Sequence, residues 1–293
     1  MAEQLPKVEI TQQAPKPANP LAGYFRQPKI YIKLPSGGQF YPEGALDVSE
    51  NGDYPVYSMT AKDELMMKTP DALLSGETTV EVIKSCVPAI RNPWQMPTLD
   101  IDAVLMAIRI ATYGDTMDIM VDCPKCNEDN KYGVQLTQYL NQAQAFKYQD
   151  TLQVGPLTIT LKPYSYKMLT NINIKALEQQ RIFSVVNDDK MSDEEKLEKF
   201  NKSFVKLSEL TIDVIAQCIV QISSPEGTTN DFSQVKEFLD NSPKDVFTSV
   251  SQHIGELKEK INIPDQNVKC EKCEHEFSVP VTLDASNFFA DRS

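Results

Sequence analysis

Two pairs of cysteines carry the clearest chemistry in this sequence. Each pair has the form Cys-x-x-Cys, as Cys123/Cys126 and Cys270/Cys273. Two cysteines three positions apart can turn both sulfur atoms toward one point, while backbone N–H groups between them stabilise the thiolates. Such a knuckle supplies half of a tetrahedral zinc shell. The two pairs together predict one structural zinc site with four cysteine ligands, which leaves no coordination position open for Lewis-acid chemistry on a substrate.

The spacing and the neighbouring residues leave alternatives open. The stretch between Cys126 and Cys270 is far longer than the usual distance between two knuckles, although a clip between distant segments would restrict the unfolded chain strongly. The pairs could instead be unmetallated thiols, or half-sites completed by neighbouring subunits. His275 could replace a cysteine ligand, but we expect it in an exposed loop. Four thiolates also suit iron, so the ligand set does not separate zinc from iron.

An enzymatic role for either pair is the rival hypothesis, since Cys-x-x-Cys is also the centre of dithiol oxidoreductases. Those enzymes place the pair at a helix start, whereas both pairs here lie between predicted strands among acidic residues, which raise thiol pKa values. The histidines, His253 and His275, stand in no nucleophile-elbow context. The glycines of Ser36-Gly37-Gly38 are not followed by the Lys-Ser/Thr of a phosphate-binding loop. We therefore expect no catalytic site.

Composition limits the remaining function classes. A net charge of -12 and a pI near 4.8 disfavour binding to a phosphate backbone, and with it a zinc-ribbon adaptor for nucleic acid. The longest apolar helical segment contains Arg109, so we do not expect it to span a membrane. The first residues lack the features of a secretory signal. Six cysteines are too few for a disulfide scaffold, so we expect folding in a reducing cytoplasm, with Cys86 and Cys218 buried as small hydrophobes.

Alternating strands must position the knuckles. Residues 116–122 alternate apolar and polar side chains and lead into Cys123, and residues 131–136 follow the first pair as a second strand. The second pair follows a strand that begins at Gln266 and precedes another at 276–283. The sequence therefore predicts an α+β fold, with a mainly helical body and a small antiparallel, zinc-ribbon-like β element formed by the two distant knuckles.

The rest of the pattern is mainly helical. Ser192 with Glu195 three residues later forms a capping box at one helix start. Further strands are predicted at 29–35, 54–59 and 157–161, and helices at 60–69, 71–74, 78–86, 100–112, 165–187, 192–223, 231–239 and 242–262. The predicted divisions are a proline-rich extended arm at 1–28, a motif region ending in the first knuckle at 29–126, β segments at 127–164, a helical region at 165–265, and the second knuckle with its strand at 266–293.

A string of short motifs in the first half of the chain resembles a known family. The motifs are Leu34–Pro42, Met59–Glu64, Thr69–Gly76, Asp100–Arg109, Tyr113–Asp115 and Cys123–Cys126. Their order and spacing resemble the T4-like bacteriophage baseplate hub proteins over roughly residues 30 to 126. The second knuckle adds weaker support, and the helices between 165 and 262 carry no recognised motif.

The resemblance implies a structural role in a phage tail. The chain would be a subunit of the contractile tail's baseplate hub, or an assembly chaperone for it. Its partners would be other baseplate and tail-tip proteins in an oligomeric assembly, with neither nucleic acid nor a membrane-spanning segment involved. It would act in the host cytoplasm during assembly, and in the virion tail baseplate if retained. No catalytic residues are carried over from the family.

Overall fold

The structure is a computed structural model that describes residues 19–68, 75–186, 192–261 and 265–281. Most of the predicted arm, the helix predicted at 71–74 and the end of the last predicted strand lie outside these ranges. Within them, helices combine with small antiparallel sheets, which confirms the predicted mixture of secondary structure. No helix in the described part of the chain has both the length and the apolar character that crossing a bilayer requires.

The principal core lies in the first half of the chain. A two-stranded antiparallel sheet pairs Ile30 with Val56 and Ile32 with Tyr54. The elements around this core are strands β1 (Pro28–Ile32) and β2 (Tyr54–Tyr57) and helices α1 (Ala61–Met67), α2 (Glu77–Cys86), α3 (Thr98–Tyr113) and α4 (Leu136–Ala145). Helix α3 is buried along almost its whole length because its residues are apolar on nearly every face.

A buried carboxylate joins two of the sequence motifs. Asp100, in the first turn of α3, is fully buried. It accepts hydrogen bonds from the Ser36 backbone N–H at 2.7 Å, the Ser36 hydroxyl at 2.6 Å and the Tyr41 hydroxyl at 2.9 Å. Burial raises the pKa of Asp100 to about 6, and the bonds from Ser36 and Tyr41 oppose that rise. The loop after β1 is therefore folded around the start of α3.

A second sheet and a second core lie in the other half of the described chain. Its four strands lie side by side in their sequence order, and all pairs are antiparallel. The strands are β5 (Thr151–Val154), β6 (Leu157–Leu161), β7 (Ile219–Ser224) and β8 (Gly227–Thr229), and the helices are α5 (Tyr166–Val186), α6 (Asp193–Cys218), α7 (Phe232–Asn241) and α8 (Lys244–Ile261). Helices α5 and α6 pack on each other, and the predicted capping box of Ser192 and Glu195 is present at the start of α6.

The structure ends one predicted helix early and contains elements that were not predicted from the sequence, namely strands β5 and β8 and helix α4. The helix predicted to run to residue 223 ends at Cys218, because strand β7 follows and pairs with β6 between Ile219 and Ser223. Ile222 lies opposite Ile159 there, so burial against a neighbouring strand outweighs local helical preference. Helix α4 was not predicted, since its polar sequence buries only Leu136 and Leu140.

Candidate metal centre

Both cysteine pairs lie in the loops of antiparallel hairpins. Strands β3 (Thr116–Asp122) and β4 (Asp129–Gln135) pair along their full length, ending with Asp122 opposite Asp129. Strands β9 (Gln266–Lys269) and β10 (Glu276–Val279) pair in the same way, with Lys269 opposite Glu276. Residues 123–128 and 270–275 are therefore two hairpin loops of equal length, each beginning with a cysteine.

Backbone hydrogen bonds shape the first loop. The Cys123 N–H donates to the Glu128 carbonyl oxygen at 2.9 Å, and the Asn127 N–H donates to the Cys123 carbonyl oxygen at 2.8 Å. Asn127 has a φ of 54°, a left-handed conformation that asparagine adopts more readily than most residues. These bonds curl the chain so that the side chains of Cys123 and Cys126 converge on the same side.

The second loop repeats this backbone arrangement. The Cys270 N–H donates to the His275 carbonyl oxygen at 2.9 Å, and the Glu274 N–H donates to the Cys270 carbonyl oxygen at 3.0 Å. Glu274 also has a φ of 54°. Backbone N–H groups of Cys273 and Lys272 donate to the Cys270 sulfur and lower its pKa to about 6. The loop is therefore built to hold a thiolate.

The four sulfur atoms meet at one place. Cys123 Sγ lies 3.6 Å from Cys273 Sγ, and Cys126 Sγ lies 3.7 Å from Cys270 Sγ. All four sulfur atoms are within 4.8 Å of one another. Sulfurs bound at about 2.3 Å to one tetrahedral zinc ion would be separated by about 3.8 Å, whereas a disulfide needs about 2.05 Å. The donor set fits a single tetrahedral metal ion.

The electrostatics of the cluster also suit a cation. The Glu128 N–H lowers the pKa of Cys126, but burial and hydrogen bonding with the other three cysteines outweigh it and raise that pKa to about 12. Crowded thiols of this kind resist releasing all their protons because the resulting thiolates repel one another. A bound divalent cation would offset that repulsion, since metal binding and thiol deprotonation are coupled.

Direct contacts between the hairpins surround the sulfur atoms. The Asn130 side chain is buried, donates to the Glu128 carbonyl oxygen at 2.6 Å and accepts from the Glu271 N–H at 3.0 Å. The Tyr132 hydroxyl donates to the Lys269 carbonyl oxygen at 3.0 Å. Neither Asn130 nor Tyr132 could be identified from the sequence, because neither lies at a recognisable distance from a cysteine of the opposite hairpin.

Each hairpin is also attached to the principal core. Met117 of β3 and Val134 of β4 belong to the buried cluster of that core. Val281, just after β10, belongs to it as well. Cys123 and Cys270 are buried, while Cys126 and Cys273 are partly exposed. The cluster is therefore joined to the protein interior from both hairpins.

The remaining candidate residues lie elsewhere. Within the described ranges, the grouping of metal-binding side chains consists of the four cysteines without His275. The His275 ring instead stacks on Phe277, with ring centres 6.1 Å apart. Cys86 and Cys218 are buried, as predicted, and burial raises the pKa of Cys86 to about 11. These two thiols are therefore poor nucleophiles.

Comparison with known proteins identifies the family of this chain. The family model described as T4 bacteriophage base plate protein matches residues 27–290, a span that includes both hairpins and both cores. No curated protein and no solved structure matches the chain. The family resemblance found in the sequence motifs is confirmed over most of the chain. The chain belongs to the T4 bacteriophage base plate protein family.

Proposed function

We propose that this chain is a non-enzymatic structural subunit or assembly chaperone of the baseplate hub of a contractile-tailed phage. In this proposal Cys123, Cys126, Cys270 and Cys273 hold one structural zinc ion. The convergence of the four sulfur atoms supports the metal site. Family membership supports the baseplate, and the motifs between residues 30 and 126 support the hub within it.

A zinc ion in this position would act as a clip. Four thiolate ligands would close its coordination shell, so the two hairpins would form a zinc-ribbon-like unit without an open site for substrate. The ion would hold residues 266–281 against β3 and β4 and strengthen the contacts made by Asn130 and Tyr132. Activity would then consist of contacts with other tail proteins, including contacts made by the proline-rich arm at 1–28.

Metal analysis tests the site. We expect about one zinc per purified chain and, after cobalt substitution, the intense thiolate absorption of a tetrahedral four-sulfur site. Cys273→Ser should abolish stoichiometric binding, whereas Cys86→Ser, a buried cysteine outside the cluster, should keep it. Folded protein that holds no metal and reduces disulfides would instead support an oxidoreductase. Iron in place of zinc would change the identity of the proposed ion and leave the proposed set of four cysteine ligands intact.

Phage assembly tests the hub role. A tagged copy expressed during infection should co-purify with hub proteins in stoichiometric amounts. Presence in finished tails would identify a virion subunit, while presence in hub intermediates alone would identify a chaperone. Absence from both finished hubs and their assembly intermediates would contradict the proposal.

A further inference from the structure

A groove lies between the loop after β1 and the start of β7. Its volume is about 450 Å³, and it is partly open to solvent. Its apolar lining comes from both halves of the described chain and includes Phe40, Pro42, Pro97, Pro163, Val220 and Phe232. Aromatic and proline side chains in a groove offer flat apolar surfaces on which the side chains of an extended peptide segment can pack.

An incompletely paired strand borders the groove. On the side away from β6, strand β7 is paired with β8 only over Ile222 to Ser224. In the described ranges no strand pairs with Ile219 to Gln221 on that side, because the chain leaves the sheet after Thr229 and Asp231 caps α7. Ile219 and Val220 also line the groove. An extended segment lying there could continue the sheet in the position that β8 leaves open.

Large apolar side chains at this groove are exposed to solvent. Val220 is 42% exposed and Phe232 is 48% exposed. Phe40 has a φ of 68°, which is rare for a bulky residue, and its ring packs edge-on against Tyr148 with ring centres 5.3 Å apart. Backbone strain of this kind tends to occur at functional sites. These features favour a surface that another chain covers.

The charge of the groove indicates which charge the bound segment should carry. Lys162 is the charged side chain among the residues lining the groove, and the other polar groups there are amides and a hydroxyl. No ion pair among the described residues includes Lys162. A carboxylate on the bound segment would complement this cation, although the net charge of the whole chain is -12.

We propose that this groove binds an extended segment of another baseplate protein, with apolar side chains of that segment on Val220 and Phe232 and one carboxylate facing Lys162. The segment lies along the open side of β7 and covers Val220 and Phe232. The proposal rests on the proposed function only for the source of the segment, since the groove itself defines the chemistry.

Selection from a displayed library of random decapeptides tests the groove directly. The target is the full metal-loaded chain, with counter-selection against Phe232→Glu. This substitution is tolerable for folding because the side chain is half exposed and an acidic residue suits the first turn of α7. Enriched peptides should carry apolar residues around one Asp or Glu. No enrichment, a basic consensus, or equal binding to Phe232→Glu would overturn the proposal.

Affinities of one enriched peptide then test the roles of individual residues. By fluorescence anisotropy, Lys162→Glu should weaken binding at least tenfold, and replacing the acidic residue of the peptide by its amide should remove most of that difference. Lys244→Glu is the matched control, because it makes the same charge change at an exposed position of helix α8 and should leave affinity unchanged. Equal losses for Lys162→Glu and Lys244→Glu would reduce the effect to net charge and overturn the assignment.

The two proposals can fail separately. Incorporation of the unaltered chain into hubs tests the hub role and does not depend on the groove. If the unaltered chain enters hubs and Phe232→Glu enters equally well, the groove proposal fails while the hub role stands. Loss of incorporation by Phe232→Glu, with zinc content and helical circular dichroism unchanged, supports the groove.

Discussion

Asn130 contributes no sulfur to the cluster, yet it joins the two cysteine loops. Its buried amide bonds to one backbone group in its own hairpin and one in the opposite hairpin. A buried amide with both ends satisfied fixes geometry strongly, because each unpaired partner costs about 1 to 3 kcal/mol. We regard Asn130 as a positioning residue for the proposed metal site.

Asn130→Ala should weaken zinc binding and lower the free energy of unfolding by about 1 to 3 kcal/mol, since the Glu271 N–H and the Glu128 carbonyl oxygen lose a buried partner. Competition with a chromogenic chelator measures the affinity, and denaturant unfolding measures the stability. Asn267→Ala, at an exposed position of the second hairpin, is the control. Equal zinc affinity for Asn130→Ala and the unaltered chain would show that Asn130 does not position the site.

Asp100 should make stability depend on pH. Burial raises its pKa from 3.8 to about 6 in the folded protein, so the folded chain binds more protons than the unfolded chain between these values. Its contribution to stability is therefore fully present below about pH 4 and is lost as the pH rises through about 6. The loss should be on the order of 3 kcal/mol.

Unfolding of the unaltered chain and of Asp100→Asn should be compared between pH 4 and pH 7. As the pH rises, the free energy of unfolding of Asp100→Asn should increase relative to that of the unaltered chain by an amount on the order of 3 kcal/mol. Glu43→Gln, an exposed acid in the same loop, should give no such shift. A constant difference across the range would mean that Asp100 has the same pKa in the folded and unfolded chains.

At the scale of elements, the strands of the two hairpins could be predicted from local sequence patterns. The contact between the hairpins could be inferred only from the metal-binding chemistry of their cysteines. Alternation in residues 116–122 is a local signal, and β3 forms there. The pairing of Ile222 with Ile159 has no local signal, because β7 gains its stability from a strand whose Ile159 lies 63 residues earlier in the sequence. The Asp100 carboxylate was likewise not predicted to bind Ser36, since the acceptor and donor are distant in sequence.

Metal removal should release the C-terminal hairpin first. Chelation removes the proposed metal link, leaving the C-terminal hairpin held by the contacts of Asn130, Tyr132 and Val281 and by the Lys272–Glu128 ion pair. Strands β3 and β4 keep Met117 and Val134 in the principal core. Hydrogen exchange with and without chelator should show faster exchange at 266–279, with little change at 116–135. Equal acceleration in both hairpins, or in neither, would contradict this order.

At the scale of the molecule, two separate hydrophobic clusters divide the described chain. The principal cluster contains residues of both metal hairpins, while the second is formed by β6, β7 and the helices on that sheet. Substitutions in different clusters should act independently, because distant sites without shared contacts are usually additive.

Ile159→Ala should lower the free energy of unfolding by about 2 to 5 kcal/mol and leave zinc affinity unchanged, since Ile159 lies fully buried in the second cluster. Val281→Ala should lower zinc affinity although it removes fewer atoms, because Val281 joins the C-terminal hairpin to the principal core. Chelator competition on both variants makes the comparison. Reduced affinity for Ile159→Ala would mean that the two clusters are coupled.

The distance in sequence between the two cysteine loops also sets an order of events during synthesis. Cys126 leaves the ribosome 144 residues before Cys270, so the first hairpin emerges with two exposed thiols and no ligands to complete a shell. During that interval these thiols can be oxidised, or they can bind a metal ion together with ligands from another protein. Translation that stalls before Cys270 would leave the chain in that vulnerable state.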